Sequence, residues 1–410
     1  MSSDAHSRDK PNRRDFLKKA VAMGLGAAVA GTDLRQPHHA SAQIFLPKGR
    51  VPRRPFGRAD IPVSALSLGG MFDILNNRLM LHKALEWGID YWDTAEGYGG
   101  GRSEEGIGRW FARYPGTRKQ VFLVTKLSRK RGTDFTPRLE MSLKRLHTDY
   151  IDLLFVHGIH DIDEMDPKMQ AWAQAMKKAG KLRLFGFSTH SNMEDCLEGA
   201  ARLSWIDGIM FTYNYRLMHE PRMKAAVEAC YRAGIGLTAM KTQGGGPVKS
   251  DSETEIEMAG RFIEKGFTDH QAKLMAVWED NRIASICSQM PNLTIMATNA
   301  AATVNQTILS RSDRALLARY AKETCSDYCA GCGRLCSEAL GNNVPINDVM
   351  RCLMYFHSYQ DLMLARSTFE MLPVQTRALL AQLDFNEAER SCPRSLPIGR
   401  MMQEATKLLG

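Results

Sequence analysis

Short apolar runs alternate with amphipathic stretches eight times between residue 55 and residue 310 of this 410-residue chain. The runs have the length of buried strands, and the stretches between them place apolar residues at helical spacing. The predicted strands are Val63–Gly70, Tyr91–Ala95, Val121–Lys126, Asp152–Gly158, Leu184–Thr189, Ile209–Asn214, Ile235–Lys241 and Ala284–Met290. The predicted helices include Arg78–Trp87, Ser103–Arg113, Thr136–Leu146, Pro167–Ala179, Pro221–Ala233 and Glu253–Lys265.

Glycine follows several of these helices, as at Gly88, Gly180 and Gly234, and glycine favours the left-handed conformation that ends a helix. Repeated strand–helix units predict a parallel sheet. Eight units over about 250 residues favour a closed (β/α)8 barrel, the TIM barrel. A doubly wound open sheet is the alternative. Such a sheet typically has a glycine-rich turn after its first strand, and Gly69-Gly70 matches such a turn only weakly. The sequence therefore predicts an α/β fold with a TIM barrel over residues 50–315.

Polar residues close several of the predicted strands. Asp93, Lys126 and His157 end three consecutive strands, and Tyr98 follows five residues after Asp93. The active sites of such barrels lie at the carboxyl ends of the strands, so these four side chains are the candidate catalytic group. An ordinary ion pair beside a surface tyrosine and histidine is the alternative. The later strands also end in polar residues, namely Ser188, Thr189, Tyr213, Asn214 and Lys241.

Four sequence segments in this order resemble the aldo-keto reductase family. The resemblance covers roughly residues 55–310, and it implies a catalytic tetrad of Asp93, Tyr98, Lys126 and His157. The segments are Gly88–Gly99 followed by Ser103-Glu104, then Val124–Lys126, Asp152–His157 and Gly186–Ser191.

The chemistry of the tetrad is consistent with carbonyl reduction. A tyrosine has an ordinary pKa of about 10, and we expect the Lys126 ammonium to lower the pKa of Tyr98. Asp93 would hold Lys126 charged and in place, and His157 would orient the substrate oxygen. Tyr98 would then act as general acid in reduction and as general base in oxidation.

The resemblance also implies a nicotinamide cofactor, NAD or NADP. Tyr213 would stack on the nicotinamide ring, and Ser188 and Thr189 lie where its carboxamide is held. Asn214 is a further predicted cofactor-binding residue. Lys241 and Thr242, with the glycines Gly244-Gly245-Gly246, would bring a cation and backbone N–H groups to the pyrophosphate.

Two departures from the family pattern concern this cofactor. Met210 stands where the family often has a glutamine, and no lysine or arginine occurs from Met290 through Asn305, where the family usually binds the 2′-phosphate of NADP. The sequence therefore favours NAD over NADP. A barrel that has lost dinucleotide binding is the alternative.

A second group of candidate ligands lies beyond the barrel, in a cysteine-rich module predicted over residues 320–410 and expected to be small and mainly helical. Cys329, Cys332 and Cys336 have C-x2-C-x3-C spacing, and Cys392-Pro393 resembles the end of a bacterial ferredoxin motif. One [4Fe–4S] cluster needs four thiolates, so these four cysteines are the predicted ligands, with Cys325 as the substitute. Structural zinc, disulfides and a radical S-adenosylmethionine motif are the alternatives.

The first 42 residues resemble a twin-arginine export signal. Arg13-Arg14 precedes an apolar run that is too short to span a bilayer, and Ala40-Ser41-Ala42 fits a signal-peptidase site. The resemblance is thus to aldo-keto reductases that carry a twin-arginine signal and a ferredoxin-like extension. It implies export by the twin-arginine machinery to the periplasm, with no membrane span in the mature chain.

The predicted function is the interconversion of a carbonyl and an alcohol on a small substrate, with a sugar or polyol suggested by family analogy. The cluster would stabilise the module or transfer electrons to a partner protein. The alternative is a redox-sensing or electron-transfer accessory protein in which the barrel binds a ligand without turnover. No lysine- or arginine-rich run with interleaved aromatics occurs, so nucleic acid is not an expected partner.

Overall fold

The computed structural model describes residues 46–129, 134–248, 252–305, 307–341 and 344–410. The predicted export signal, residues 1–42, lies outside the described residues. The chain from Ile44 to Gly410 forms one compact unit. Within the described ranges, no helix has both the length and the apolar character needed to cross a membrane.

Eight parallel strands close into a barrel, and consecutive strands are hydrogen-bonded neighbours all the way round. This confirms the predicted fold class. The barrel strands are β3 (Leu66–Gly69), β4 (Tyr91–Asp93), β5 (Phe122–Leu127), β6 (Ile151–Ile159), β7 (Leu182–Thr189), β8 (Gly208–Thr212), β9 (Gly236–Met240) and β10 (Ser285–Gln289).

A two-stranded antiparallel hairpin precedes the barrel, formed by β1 (Arg53–Phe56) and β2 (Ile61–Ser64). The single strand predicted over Val63–Gly70 is therefore wrong, because its first residues belong to β2 and the barrel strand begins at Leu66. The hairpin places the fully buried ring of Phe56 against the start of β8 and β9, where Gly208 and Gly236 leave room for it. An aromatic side chain thus closes the amino-terminal end of the barrel, opposite to the predicted site.

Helices connect the strands, and the six predicted ones occur within one or two residues of their predicted bounds. Further helices lie after β7, β9 and β10. The helices of this part of the chain are α1 (Leu79–Glu86), α2 (Arg102–Arg113), α3 (Thr136–Leu146), α4 (Pro167–Lys178), α5 (Met193–Ala200), α6 (Pro221–Arg232), α7 (Glu253–Glu264), α8 (Asp269–Trp278), α9 (Leu293–Asn305) and α10 (Arg311–Glu323).

The C-terminal residues form a helical module with a hydrophobic core of its own. Cys352 is buried in that core, as its apolar neighbours at helical spacing predict. The helices of the module are α11 (Gly333–Ala339), α12 (Ile346–His357), α13 (Leu362–Phe369), α14 (Val374–Leu379), α15 (Asn386–Arg390) and α16 (Ile398–Leu409).

This module packs on the carboxyl ends of the barrel strands. The Tyr328 hydroxyl accepts a hydrogen bond from Asn214 Nδ2 at 3.0 Å, and Ser358 Oγ donates to the Gly246 carbonyl oxygen at 2.7 Å. The backbones also meet directly, since a Cβ on Gly246 would lie 1.8 Å from the carbonyl oxygen of Asp327. The module therefore covers part of the barrel mouth.

Substitution of Gly246 by alanine tests this packing. The added methyl group would force the module away from the loop after β9, and overpacking of this kind costs about 1–3 kcal/mol of stability. We expect a lower midpoint of thermal unfolding and faster proteolysis between the barrel and the module. Gly116→Ala is the matched control, because nothing lies within 4 Å of a Cβ at that position. Equal behaviour of the two variants would argue against close packing at Gly246.

Candidate active site

Asp93 and Lys126 form a buried ion pair inside the mouth of the barrel. Asp93 ends β4 and Lys126 lies near the end of the neighbouring β5, and their side chains are 3% and 1% exposed. Lys126 Nζ lies 2.6 Å from Asp93 Oδ2 and 2.9 Å from the carbonyl oxygen of Thr94. Its third partner is the Tyr98 hydroxyl, at 3.4 Å. An ammonium has three donors, so every N–H of Lys126 has a partner within the site.

The loop after β4 delivers Tyr98 to this pair. Tyr98 begins a short 3-10 turn that runs to Gly101, and all three glycines in that turn have positive φ angles of 57° to 99°. Side chains other than glycine rarely adopt this conformation. The Tyr-Gly-Gly-Gly sequence therefore lets the chain turn sharply into α2 while the tyrosine side chain stays over Lys126, whose Nζ is 4.8 Å from the ring centroid.

His157, near the end of β6, completes the group. Its ring meets the Tyr98 ring edge-on, with 5.7 Å between ring centroids and an interplanar angle of 80°. The structure thus brings together all four residues of the predicted tetrad. An imidazole and a phenol lie side by side over a buried ammonium, an arrangement that can orient and protonate an oxygen.

The expected lowering of the pKa of Tyr98 is wrong, because the net shift of this pKa is upward. Removal from water raises the pKa of Tyr98 well above its ordinary value, and the nearby Asp93 carboxylate raises it further. The phenols of Tyr355 and Tyr359, from the C-terminal module, add to the same effect. The physical reason is that Asp93 offsets the charge of Lys126, while the covering module reduces solvation of the phenolate. Tyr98 is therefore protonated at neutral pH.

Ser188 and Thr189, at the end of β7, use their side chains to bind backbone. Ser188 Oγ accepts from the Gly158 N–H at 3.0 Å, and Thr189 Oγ1 lies 2.8 Å from the carbonyl oxygen of Ile159. These contacts tie the end of β7 to the end of β6, beside His157. The predicted contact with a nicotinamide carboxamide stays a prediction for both residues.

Tyr213 and Asn214, after β8, are not placed as predicted. The Tyr213 ring is fully buried in the barrel's outer core, and its hydroxyl donates to Asp280 Oδ2 at 2.6 Å. Asn214 Nδ2 donates to the carbonyl oxygen of Lys241 at 3.1 Å and to the Tyr328 hydroxyl. Tyr213 is thus committed to core packing and Asn214 to the C-terminal module, which does not support their predicted cofactor contacts.

The first residue of the loop after β9 lines a cavity, and the glycines of this loop pack against other parts of the chain. Lys241 points into a cavity at the strand ends, whereas Thr242 is buried. Gly244 gives its carbonyl oxygen to Arg216 Nε at 2.8 Å, and the next two glycines pack against the module. The glycine loop does not fit a pyrophosphate in this arrangement, because the module covers it.

The cavity beside Lys241 lies between the barrel mouth and the module. His190 and Thr212 line it from the ends of β7 and β8, and Asn347 and Arg351 line it from α12. Burial, together with the positive charge of Lys241 and Arg351, lowers the pKa of His190 well below its ordinary value. Sequence reasoning missed these residues, although Asn347, Met350, Arg351 and Met354 have the spacing of one helix face.

A second cavity is lined by the four predicted cluster ligands. Cys329 comes from the loop before α11, Cys332 precedes the first residue of that helix, and Cys336 lies within it. Cys392 follows α15, which packs on α11. Burial raises the pKa of Cys332 to about 11 and that of Cys336 to about 12. The helices between Gly341 and Cys392 thus fold back to bring the last cysteine to the other three.

The remaining cysteines do not line this cavity. Cys325, the predicted substitute ligand, lies outside it. All nine cysteines lie in the described residues, and none is in a disulfide. Across the described ranges, no three His, Cys, Asp or Glu side chains are placed to hold a single metal ion.

The two cavities share a wall. Cys329, Ala330, Asn347 and Met350 line both of them. The cysteine cavity therefore lies one layer of side chains away from the cavity at the barrel mouth.

The fold and the tetrad define a (β/α)8-barrel protein with a polar site at the carboxyl ends of its strands. The sequence model of the aldo/keto reductase family matches residues 74–299, and the chain belongs to this family. The chain spans less than two thirds of the length of several curated relatives that it matches, 62% of one and 48% of another.

Three similar proteins illustrate the match. An NADP(+) aldo-keto reductase of Schizosaccharomyces pombe is 29% identical over 215 residues, which are 48% of this chain and 62% of that protein. A D-threo-aldose 1-dehydrogenase of a Pseudomonas species is 25% identical over 307 residues, 65% of this chain and 89% of that protein. The holo form of an aldo-keto reductase from Bacillus halodurans has a TM-score of 0.53 at 22% identity, covering 66% of this chain and 96% of that one. The last likeness concerns the fold.

Proposed function

We propose that the chain interconverts carbonyl and alcohol groups on a small substrate, with Tyr98 as the acid–base group. The observation that carries the proposal is the convergence of Asp93, Tyr98, Lys126 and His157 at one end of the barrel. In reduction, His157 orients the carbonyl oxygen and Tyr98 donates its proton to that oxygen. Lys126 stabilises the phenolate that remains, and Asp93 keeps Lys126 in place.

The hydride would come from a nicotinamide dinucleotide, NAD or NADP, bound at the ends of β7, β8 and β9. We propose NAD as the preferred form, since α9 follows β10 and carries no lysine or arginine that could bind a 2′-phosphate. A carbohydrate or polyol is the substrate class suggested by the similarity to the D-threo-aldose 1-dehydrogenase.

The cysteine cavity supports a [4Fe–4S] cluster as a second cofactor. Its ligands would be Cys329, Cys332, Cys336 and Cys392, and the cluster would supply one-electron transfer or cross-link the module. A cluster in an electron-transfer role would need an external partner.

We also propose export of the folded chain to the periplasm by the twin-arginine machinery. Support comes from the order of Arg13-Arg14, the apolar run and Ala40-Ser41-Ala42 in the sequence. This route carries folded proteins and suits a chain that acquires its cofactors before export.

The pH dependence of turnover tests the acid–base assignment. Reduction needs the protonated phenol, and the pKa of Tyr98 is raised well above 10. We therefore expect kcat for aldehyde reduction by NADH to stay flat from about pH 6 to about pH 9 and to fall only at higher pH. Alcohol oxidation needs the phenolate, so its kcat should rise with pH over the same range. A loss of reduction centred near neutral pH would contradict the assignment.

A further inference from the structure

The loop after β9, residues 241–246, lies where barrels of this kind usually bind phosphate. β9 is the seventh of the eight barrel strands in chain order, and phosphate sites in (β/α)8 barrels frequently form from the loops after the seventh and eighth strands. The loop contains the triplet Gly244-Gly245-Gly246, and Gly245 lines the cavity at the barrel mouth. The phosphates of a dinucleotide are therefore expected at this loop.

The C-terminal module closes this loop from outside. A Cβ on Gly246 would lie 1.8 Å from the carbonyl oxygen of Asp327, and a Cβ on Gly245 would lie 2.7 Å from both Cβ and Oγ of Ser358. Ser358 Oγ also donates to the carbonyl oxygen of Gly246 at 2.7 Å. A methyl group does not fit on this side of either glycine, and a phosphate group is larger than a methyl group.

Contacts from the barrel side hold the loop in the same arrangement. Arg216 Nε donates to the carbonyl oxygen of Gly244 at 2.8 Å, and Arg216 Nη1 donates to Thr324 Oγ1 at 2.8 Å, just after α10. Lys241, the first residue of the loop, has a φ of 55°, which residues other than glycine rarely adopt. Such a backbone persists only where the surrounding contacts hold it. Loss of these contacts would therefore let the loop take another arrangement.

We propose that the C-terminal module and the loop after β9 form a gate for the dinucleotide. The closed arrangement, with the loop against Asp327 and Ser358, excludes the phosphates, and the loop must separate from these residues before a dinucleotide binds. This inference rests on the proposed function, because it concerns the cofactor of that reaction. Only the open fraction of the molecules binds, so the closed contacts raise the apparent dissociation constant of the dinucleotide.

Ser358→Ala tests the gate on the full chain. The substitution removes a hydrogen bond of the closed arrangement and leaves the glycine loop itself unchanged. We expect it to lower the dissociation constants of NADH and of ADP-ribose by about 2- to 10-fold, the usual contribution of one hydrogen bond. ADP-ribose carries the pyrophosphate but no nicotinamide, so its binding, measured by calorimetry, does not depend on turnover.

The tighter binding should come from faster association. In stopped-flow fluorescence, the association rate constant of NADH should rise by the same factor in Ser358→Ala while the dissociation rate constant stays the same, because only the closed state without ligand is destabilised. Ser367→Ala is the matched control. Ser367 is exposed on α13 of the same module, and its Oγ donates to the carbonyl oxygen of Leu364 within that helix. This variant should bind both ligands as the unchanged chain does.

The outcomes separate the gate from the proposed function. Equal affinity and equal association rates in Ser358→Ala and the unchanged chain would overturn the gate, and so would weaker binding in the variant. If neither NADH nor ADP-ribose binds to any of the three chains, the gate and the proposed function are both overturned. If Ser358→Ala binds both ligands more tightly but no aldehyde is reduced with NADH bound, the gate stands and the proposed function fails.

Discussion

Replacement of Tyr98 by phenylalanine is expected to lower kcat for carbonyl reduction by about 100- to 10,000-fold, the usual contribution of a positioned acid–base group. The ring would keep its edge-on contact with His157, so the substrate should still be positioned. Only the proton donor is lost, and Lys126 keeps its contacts with Asp93 and Thr94. The fall should therefore appear in kcat, with little change in the dissociation constant of NADH or in thermal stability.

Tyr231→Phe is the matched control, because Tyr231 lies on α6 and half of its surface is open to solvent. It should retain full activity. Near-normal turnover of Tyr98→Phe would exclude the acid–base role. It would favour the alternative function, a redox-sensing or electron-transfer accessory protein in which the barrel binds a ligand or a partner and the tetrad is not catalytic.

Replacement of Cys332 by serine is expected to abolish cluster binding. A [4Fe–4S] cluster needs four thiolates, and a hydroxyl at this position leaves three. Iron and acid-labile sulfide should fall from about four per chain to near none after anaerobic purification. The module should also unfold at lower temperature, because the free energy of cofactor binding contributes to folding.

Cys325→Ser separates this effect from the general loss of a thiol, since Cys325 lies outside the cysteine cavity. Its iron content should match that of the unchanged chain. Loss of iron in Cys325→Ser with retention in Cys332→Ser would reverse the ligand assignment. Zinc in place of iron and sulfide would refute the cluster while leaving the four-cysteine site intact.

The barrel could be predicted from sequence because its determinants are local. Each apolar run predicts a strand on its own. Because the active sites of such barrels lie at the carboxyl ends of the strands, Asp93, Lys126 and His157 can be predicted to lie close together without any knowledge of packing. Tyr98 follows from its position five residues after Asp93 and from the family motif that contains both residues. The hairpin was missed because Val63 to Gly70 is one continuous apolar segment, and only pairing with Arg53–Phe56 divides it.

The placement of the predicted cofactor residues depends on contacts between distant parts of the chain. Tyr213 was expected at the cofactor, but Asp280, which is far away in sequence, holds its hydroxyl in the core. In sequence, the glycine triplet is as typical of a phosphate-binding loop as of a close backbone contact. The short distance between Gly246 and the backbone of Asp327 shows that these glycines pack against the C-terminal module. Burial is the largest cause of the raised pKa of Tyr98, and it likewise depends on packing that the local sequence does not show.

The shared wall between the two cavities has a consequence for how this chain can vary. Met350 and Asn347 present one side to the cysteines and the other to the barrel mouth. A substitution that widens the mouth for a larger molecule also alters the polarity and packing around the thiolates. A change in one cavity therefore alters the other through the residues that they share. A redesign of either cavity must treat both cavities together.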